Sequence, residues 1–181
     1  MYKRQVYSIK NEIKADFKKE VSSWIELGWL KEYSGEEKGL LPHMAVVQAN
    51  KGKVRPVLDY RELNDHVSSH TSESVICAKS IRRWRQMGSN LKIVDLRKAY
   101  VQIRIDKNLW PFQIVRFEEK TYCLNRLGFG LNVAHKVMTA IVNKVLAADD
   151  QIRSATDSYI DDIVVNEDKV AADQVLSLIH I

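Results

Sequence analysis

The sequence predicts a mixed α+β fold of helices and antiparallel hairpins. Two observations support this prediction: short runs of strand-forming residues recur around polar turns, and longer stretches carry apolar residues at helical spacing. A chain of 181 residues with 45% hydrophobic content can bury a sizeable core and fits one globular unit. The sequence contains no low-complexity linker and no internal repeat.

The N-terminal part predicts a helix followed by a hairpin. Apolar residues recur near helical spacing up to Gly28, which is expected to stop the helix. Residues 44–48 and 54–59 are predicted strands, joined by the polar turn 49–53. The apolar stripe of the predicted helix consists of Ile13, Phe17, Val21 and Trp24.

Helices and strands continue to alternate in the rest of the chain. Residues 75–87 predict a helix, and residues 91–95 predict a strand. Strands at 114–117 and 122–127 predict a second hairpin, and the chain from residue 168 is predicted to be helical. Asn132 is expected to cap a further helix, because its side chain can accept a hydrogen bond in the first turn. The apolar stripe predicted for that helix is Val133, Val137, Ile141 and Val145.

Two adjacent carboxylates, Asp161 and Asp162, interrupt an apolar run that extends on both sides of them. Asp is disfavoured in strands, so the pair predicts a hairpin tip, where Asp tolerates unusual backbone angles. Such a tip can bind a hard divalent cation. A solvated turn is the ordinary explanation for an isolated Asp-Asp pair, so a second acid in a matching setting is needed.

That second acid is Asp95, which closes the strand-like run 91–95. If this strand lies beside the hairpin of Asp161, three carboxylates meet at one edge of a sheet. They would repel each other and raise each other's pKa unless a cation lay among them. Two divalent ions about 3.5–4 Å apart, clamped by such acids, are common in enzymes of phosphoryl transfer. The pattern therefore points to nucleotidyl transfer, provided that the strands pair.

Four segments resemble, in order and spacing, the polymerase motifs of reverse transcriptases of retroviral and LTR-retrotransposon type. They are residues 53–64, which include Asp-Tyr-Arg-Glu-Leu-Asn; 94–100, Val-Asp-Leu-Arg-Lys-Ala-Tyr; 127–132, Leu-Gly-Phe-Gly-Leu-Asn; and 159–162, Tyr-Ile-Asp-Asp. The match runs from about Tyr7 to the C-terminus, and four motifs in register are far more specific than any one of them. The retrotransposon type is the closer of the two.

The resemblance implies a right-hand polymerase fold that consists of fingers and palm, with a small antiparallel palm sheet backed by helices. The fingers are expected at about residues 1–74 and 103–132, and the palm at about 75–102 and 133–181. Members of the family continue into a thumb, a ribonuclease H and an integrase. The thumb is absent here, so the chain is expected to be a fragment of a longer Pol polyprotein or a truncated copy. By itself it is expected to polymerise poorly or not at all, although its catalytic acids are complete.

The resemblance also implies a metal site that holds two Mg²⁺ ions, with Mn²⁺ as an alternative. Asp95, Asp161 and Asp162 are the expected catalytic acids and metal ligands, and the backbone carbonyl of Leu96 is a further oxygen ligand. One ion would favour the primer 3′-oxygen as a nucleophile, and the other would hold the triphosphate. Asp162 is the least certain ligand, because it could support the site or be a turn residue without chemistry.

The residues implied in nucleotide binding come from three of the four motifs. Arg55 is expected to grip the triphosphate, since guanidinium binds phosphate oxygens bidentately. Tyr100 is expected to block a 2′-hydroxyl and so select deoxynucleotides, although a buried aromatic would be the simpler explanation without the resemblance. The full set is Lys53, Arg55, Ala99, Tyr100, Phe129 and Gly130. Tyr159 and Ile160 are expected to face the template-primer.

The chain departs from its relatives in the fingers. Many relatives carry a lysine cluster where this chain has residues 48–50, so Lys51 or Lys53 is left as the candidate for a γ-phosphate contact. Gly128 and His135 stand where relatives commonly carry proline. We assign His135 no catalytic role.

Bulk composition agrees with these expectations without proving them. The net charge of +5 is compatible with a polyanionic partner. Cys77 and Cys123 are far apart and outside any ligand spacing, which indicates reduced thiols. No signal-like or membrane-spanning run is present, so we expect an intracellular protein without a membrane partner. Its expected location is the cytoplasm, with virus-like particles and the nucleus as alternatives.

The sequence therefore predicts an RNA-directed DNA polymerase that extends a primer on RNA or DNA with deoxynucleoside triphosphates. A viral RNA-dependent RNA polymerase shares the palm acids, but Tyr100 at the sugar-selecting position disfavours it. A third alternative is a non-catalytic nucleic-acid-binding remnant or subunit that retains its acids by inheritance.

Overall fold

The computed structural model describes residues 7–48, 50, 52–68 and 78–180, without the side chain of Lys79. Over these residues the fold is α+β with small antiparallel sheets, which confirms the predicted class. The elements are, in chain order, α1 Asn11–Glu26, β1 Leu30–Glu32, β2 His43–Gln48, β3 Lys53–Leu58, α2 Arg61–Asp65, α3 Ala78–Gln86, β4 Leu91–Asp95, α4 Ala99–Gln102, a 3-10 helix Lys107–Phe112, β5 Ile114–Phe117, β6 Lys120–Leu124, α5 Ala134–Leu146, α6 Asp150–Ala155, β7 Thr156–Tyr159, β8 Asp162–Asn166 and α7 Ala172–His180.

The chain divides into two compact units. The first consists of Met1–Ser69 and Tyr100–Asn132, and the second of His70–Ala99 and Val133–Ile181. The identification of fingers and palm within the chain stays a prediction.

The first unit contains the antiparallel sheet β1–β6–β5 and the hairpin β2–β3, with α1 packed against β3 and β1. The predicted stripe of α1 is confirmed where it matters most, since Phe17 and Val21 are buried. Gly28 adopts φ +68° directly after the helix, a conformation that glycine accepts without steric cost, so the predicted stop is also confirmed. The core of this unit comprises Phe17, Val21, Trp29, Leu30, Leu41, Tyr60, Val115, Phe117, Tyr122 and Leu124.

The second unit is built on the antiparallel sheet β4–β8–β7. Alternate residues of its strands, Val94, Ile163 and Val165, are buried on one face. Helices α5 and α7 contact each other and the sheet, and they supply further buried side chains such as Met138 and Val175. The opposite face is more open, since Ile93 is 69% exposed.

The predictions for α5 are wrong in two respects. Asn132 does not cap the helix; the residue before Ala134 is Val133, without a side-chain cap, and the backbone N–H of Asn132 donates to Asn64 Oδ1 at 2.9 Å. The buried stripe lies one residue later than predicted, because neighbouring stripes of this helix are both apolar and spacing alone does not choose between them. Its buried residues are Ala134, Met138, Val142 and Leu146.

The second hairpin has a tighter turn than predicted. Strand β6 begins at Lys120 and ends at Leu124, and only Glu118 and Glu119 connect it to β5. Both turn residues have positive φ, 47° and 63°, as a type I′ turn requires. The sequence predicts a hairpin here but does not indicate a two-residue turn, because it lacks the Asn or Gly that usually marks one.

Two further differences concern helices in the last part of the chain. Helix α7 begins at Ala172 instead of residue 168. Helix α6 was not predicted; Asp149 caps it by accepting a hydrogen bond from the N–H of Ile152 at 2.9 Å.

The predicted turn at 49–53 and the start of the predicted helix at 75–87 lie partly outside the described residues. Over the described ranges, no helix combines the length and apolar character needed to cross a bilayer.

Candidate functional site

The motif Tyr159 to Asp162 forms the tip of the β7–β8 hairpin. Strand β7 ends at Tyr159, β8 begins at Asp162, and the two turn residues are Ile160 and Asp161. The predicted hairpin tip is therefore confirmed for Asp161, whereas Asp162 is the first residue of a strand. The difference arises because Asp162 pairs directly with Tyr159, which closes the turn after two residues.

Ile160 adopts φ +58°, a left-handed conformation that is a clear outlier for a β-branched residue. Such a conformation costs on the order of 1–3 kcal/mol and persists only where the surrounding structure enforces it. Strained residues of this kind cluster at functional sites, so the left-handed Ile160 makes the turn that carries Asp161 a candidate functional site.

Asp95 ends strand β4 and lies directly opposite Asp162 in the β4–β8 ladder. The backbone N–H of the next residue, Leu96, donates to the carbonyl of Asp161 at 3.3 Å. The condition set by the sequence, that the strand of Asp95 pairs with the hairpin of Asp161, is thus met. The three acids and Leu96 lie at one end of a single sheet.

The three carboxylates influence each other electrostatically. Burial raises the pKa of Asp162 above its ordinary value, and the negative charges of Asp161 and Asp95 raise it further. A cation bound among them would oppose this effect, because it favours the ionised carboxylates. Oxygen donors of this kind are those that Mg²⁺ prefers.

The side chains do not form a complete metal-ligand cluster. Within the described part of the chain, no group of three or more His, Cys, Asp or Glu side chains is arranged to hold a metal ion. Asp95 is exposed, and Asp161 and Asp162 are half-buried. The donor chemistry and the mutual repulsion fit a cation, and the metal roles of these residues stay predictions.

The predicted nucleotide-binding residues of the first unit lie on two different elements. Lys53 and Arg55 are exposed on β3, two residues apart and therefore on the same face of the strand. Tyr100 is half-buried on α4 and packs edge-on against Phe129, with ring centroids 5.1 Å apart and an interplanar angle of 84°. Phe129 is 76% exposed. Lys51 lies outside the described residues.

Gly128 and Gly130 lie against the ring of Tyr60. A Cβ atom at residue 128 would fall 2.0 Å from the Tyr60 hydroxyl, and one at residue 130 would fall 2.5 Å from ring atom Cδ2. Glycine is therefore required at both positions by packing within the first unit. The closeness of Gly130 to a substrate stays a prediction.

The loop of residues 128–132 is held by Asn64 and Tyr60, two residues to which the sequence analysis gave no role. The side chain of Asn64 donates to the carbonyl of Gly130 at 2.8 Å and accepts from the N–H of Asn132 at 2.9 Å. Tyr60 donates to Gln113 Oε1 at 3.1 Å. Both residues belong to the segment Asp-Tyr-Arg-Glu-Leu-Asn, whose position in a motif was the only signal available.

Comparisons with known proteins give a fold but no sequence family. No protein-family model and no curated protein matches the chain. Among solved structures, the native protease-reverse transcriptase of Prototype Foamy Virus superposes with a TM-score of 0.74 at 20% identity, covering 97% of this chain and 23% of that one. A foamy viral protease-reverse transcriptase dRH in complex with double-stranded DNA gives 0.75 at 20% identity, covering 98% and 30%.

A third solved structure, the selenomethionine-labelled CSH mutant of the Prototype Foamy Virus protein, gives a TM-score of 0.77 at 19% identity and covers 98% of this chain and 24% of that one. The chain thus spans less than a third of the length of these three solved chains. At this level of identity the likeness concerns the fold alone, which is that of a reverse transcriptase.

Proposed function

We propose that the chain is the polymerase portion of a reverse transcriptase, a nucleotidyltransferase that adds deoxynucleotides to a primer 3′-hydroxyl under the direction of an RNA or DNA template. The observation that supports this most strongly is the direct pairing of Asp95 with Asp162, with Asp161 in the adjoining turn. The reverse transcriptase-like fold supports it independently, because the solved relatives include complexes with double-stranded DNA.

The proposed metal ligands are Asp95, Asp161, Asp162 and the carbonyl oxygen of Leu96. Two Mg²⁺ ions, or Mn²⁺ in their place, would neutralise charge on the triphosphate and activate the primer hydroxyl when bound there. The contribution of the chain itself is to hold three carboxylates together at one end of a sheet. The raised pKa of Asp162 is consistent with a site whose repulsion a cation relieves.

The remaining roles in the proposal come from the resemblance. Lys53 and Arg55 bind the triphosphate, and both are exposed and able to do so. Tyr100 selects the sugar, supported from one side by Phe129. The proposed origin is a retrotransposon Pol polyprotein, whose ribonuclease H and integrase would be partners, and the proposed location is inside the cell.

A non-catalytic nucleic-acid-binding subunit is the second candidate. The observation that favours it is the lack, among the described residues, of an arrangement of acids ready to hold a metal ion. It predicts binding to template-primer without any requirement for Asp161.

Primer extension distinguishes the two candidates. Oligo(dT) annealed to poly(rA) is incubated with deoxythymidine triphosphate and Mg²⁺ or Mn²⁺, using the chain and a C-terminally extended version. The polymerase proposal predicts extension that Asp161→Asn abolishes while template-primer binding persists. Extension that survives Asp161→Asn, or none by either version with either ion, would overturn it.

A further inference from the structure

A buried carboxylate in strand β7 joins the hairpin to helix α3. Asp157 is 8% exposed, and its two oxygens accept hydrogen bonds from side chains of two consecutive residues of α3. Arg83 Nε donates to Oδ2 at 2.8 Å and its terminal nitrogen donates to Oδ1, while Trp84 Nε1 donates to Oδ2 at 2.5 Å. The backbone N–H of Ser158 donates to Oδ1 at 2.9 Å. The carboxylate is therefore fully satisfied and charge-paired.

The sheet register places this carboxylate beside the catalytic candidates. Residues directly opposite in an antiparallel pair share a face, so Tyr159, Asp162 and Asp95 form one row across the sheet. Asp157 pairs with Val164 in the next row along the same face. Asp157 and Tyr159 are two positions apart along the strand, a rise of about 6.6 Å. Asp157 is thus a third acid on the face that carries Asp95 and Asp162.

Helix α3 also contacts the hairpin directly at its tip. The ring of Trp84 packs edge-on against the ring of Tyr159, with centroids 6.1 Å apart and an interplanar angle of 84°. One side chain of α3 therefore contacts Asp157 through its indole N–H and Tyr159 through its ring. Both contacts are on the same face of β7, immediately before the turn residue Ile160.

Strand β7 depends on such support. It has four residues, and in the described part of the chain it pairs with one strand only, β8. On the opposite face, the hydroxyl of Ser158 donates to Asn143 Oδ1 of α5 at 2.7 Å. The strand is thus held from both faces next to Ile160, whose left-handed backbone requires enforcement by its surroundings.

Arg83 also cancels a charge that would disturb the site. An unpaired Asp157 would add a negative charge one row from Asp162, near the end of the sheet where three carboxylates already lie together. A metal site gains affinity when neighbouring groups orient its ligands, and changes in such outer residues commonly reduce metal affinity about 10–100-fold.

We propose that Arg83, Trp84 and Asp157 are positioning residues that fix the β7–β8 hairpin so that Asp161 and Asp162 can bind a divalent cation together with Asp95. This inference rests on the proposed function. It assigns α3, which the sequence predicted only as a helix, to the support of the site.

The test measures Mn²⁺ binding to the full chain, by the electron paramagnetic resonance signal of free Mn²⁺, together with the melting temperature. We expect Arg83→Met to weaken Mn²⁺ binding about 10–100-fold. Arg83→Lys, which keeps the charge but loses the two-point contact, should recover only part of the loss. Lys92→Met is the matched control, because Lys92 forms an ion pair with Glu167 at 3.5 Å in the same unit, and it should change Mn²⁺ affinity less than twofold.

A second variant separates positioning from stability. Arg83→Met combined with Asp157→Leu removes both charges, so it avoids the uncompensated buried carboxylate that could unfold the single variant. We expect this double variant to melt within a few degrees of the parent and still to bind Mn²⁺ about 10-fold more weakly, since the hairpin has lost its anchor. Trp84→Phe retains the ring and should give a smaller loss.

The outcomes distinguish the inference from the proposed function. If Mn²⁺ binding is abolished by Asp161→Asn but unchanged in the double variant, the positioning role is wrong and the metal site stands. If the parent shows no Mn²⁺ binding that depends on Asp161, the metal site itself is overturned, and the positioning role with it.

Discussion

Asp95 and Asp162 lie directly opposite each other at the end of the β4–β8 ladder. Like charges in this arrangement are destabilising in the absence of a cation. The fold therefore maintains at this point a repulsion that an ordinary structural sheet would avoid. The same end of the sheet carries Asp161 and the strained Ile160, so two kinds of unfavourable energy coincide at one place. That coincidence is typical of a functional site.

Replacing Asp162 by Asn should stabilise the protein and impair cation binding together. Since the folded pKa of Asp162 is raised, the ionised group opposes folding at neutral pH, and this penalty disappears as the pH falls below the ordinary carboxyl value. We expect Asp162→Asn to raise the melting temperature at pH 7 by about 1–2 °C without divalent ions, since a charged cross-strand pair is worth roughly 0.2–1 kcal/mol and a chain of this size shifts by about 2–4 °C per kcal/mol. The difference should vanish near pH 3.

Melting curves with and without Mn²⁺ complete this test. The parent should gain stability when Mn²⁺ is added, because a ligand that binds only the folded state stabilises it, whereas Asp162→Asn should gain less. Asp16→Asn, on the exposed face of α1, is the control and should leave both measurements unchanged. A lower melting temperature for Asp162→Asn at pH 7 would show that its charge is not a liability to the fold.

The backbone of Ile160 predicts an unusual order of substitutions. At φ +58°, Ile160→Gly should be more stable than Ile160→Ala by about 1 kcal/mol, because a Cβ atom is unfavourable in the left-handed region. Ile81, inside helix α3, should show the reverse order by about 1 kcal/mol. Urea unfolding of the four variants measures both differences. An order at Ile160 that matches the order at Ile81 would contradict the left-handed turn.

The pairing of acid-bearing strands could be predicted because apolar residues flank each acid. Runs of β-branched residues around Asp95 and Asp162 favour strands, and a strand that is buried on one face has a register with little freedom to slip. The prediction placed Asp162 in the turn, however. The number of turn residues depends on a positive φ at Ile160, and isoleucine rarely adopts that conformation, so the sequence does not indicate it.

Contacts between distant residues could not be predicted from the local pattern. Arg83 and Asp157 are 74 residues apart, and an arginine on an amphipathic helix is usually a solvated residue. The one available signal was Asp157 itself, a charged residue within a run of strand formers that folding buries. In the same way, the need for glycine at residue 130 arises from Tyr60, which lies far from it along the chain.

Gly130→Ala should destabilise the first unit through its contact with Tyr60. The new Cβ atom would lie 2.5 Å from ring atom Cδ2, so ring or loop must move, at a cost of about 1–3 kcal/mol. Gly35→Ala is the control, because its Cβ would meet only the mobile end of Tyr33 and should cost much less. Urea unfolding gives both values.

A double-mutant cycle identifies the cause of that loss. In the background Tyr60→Leu the ring is absent, so Gly130→Ala should cost at least about 1 kcal/mol less than in the parent. An equal cost in both backgrounds would mean that the glycine is needed for another reason, such as approach to a substrate.

Tyr100 should determine the choice of sugar, and Phe129 should assist it. In a C-terminally extended, active version of the chain, Tyr100→Ala should improve kcat/KM for a ribonucleotide relative to its deoxynucleotide about 10–100-fold, the range that a steric contact commonly supplies. Phe129→Ala removes the edge-on ring contact, in which the centroids are 5.1 Å apart and which is worth about 0.5–1.5 kcal/mol. It should therefore reduce discrimination against the ribonucleotide by a smaller factor. Tyr33→Ala, an aromatic of the same unit, serves as the control and should leave discrimination unchanged. Competition between ATP and dATP in single-nucleotide incorporation measures each ratio. If Tyr100→Ala retains the parental ratio while activity persists, Tyr100 is only a packing residue.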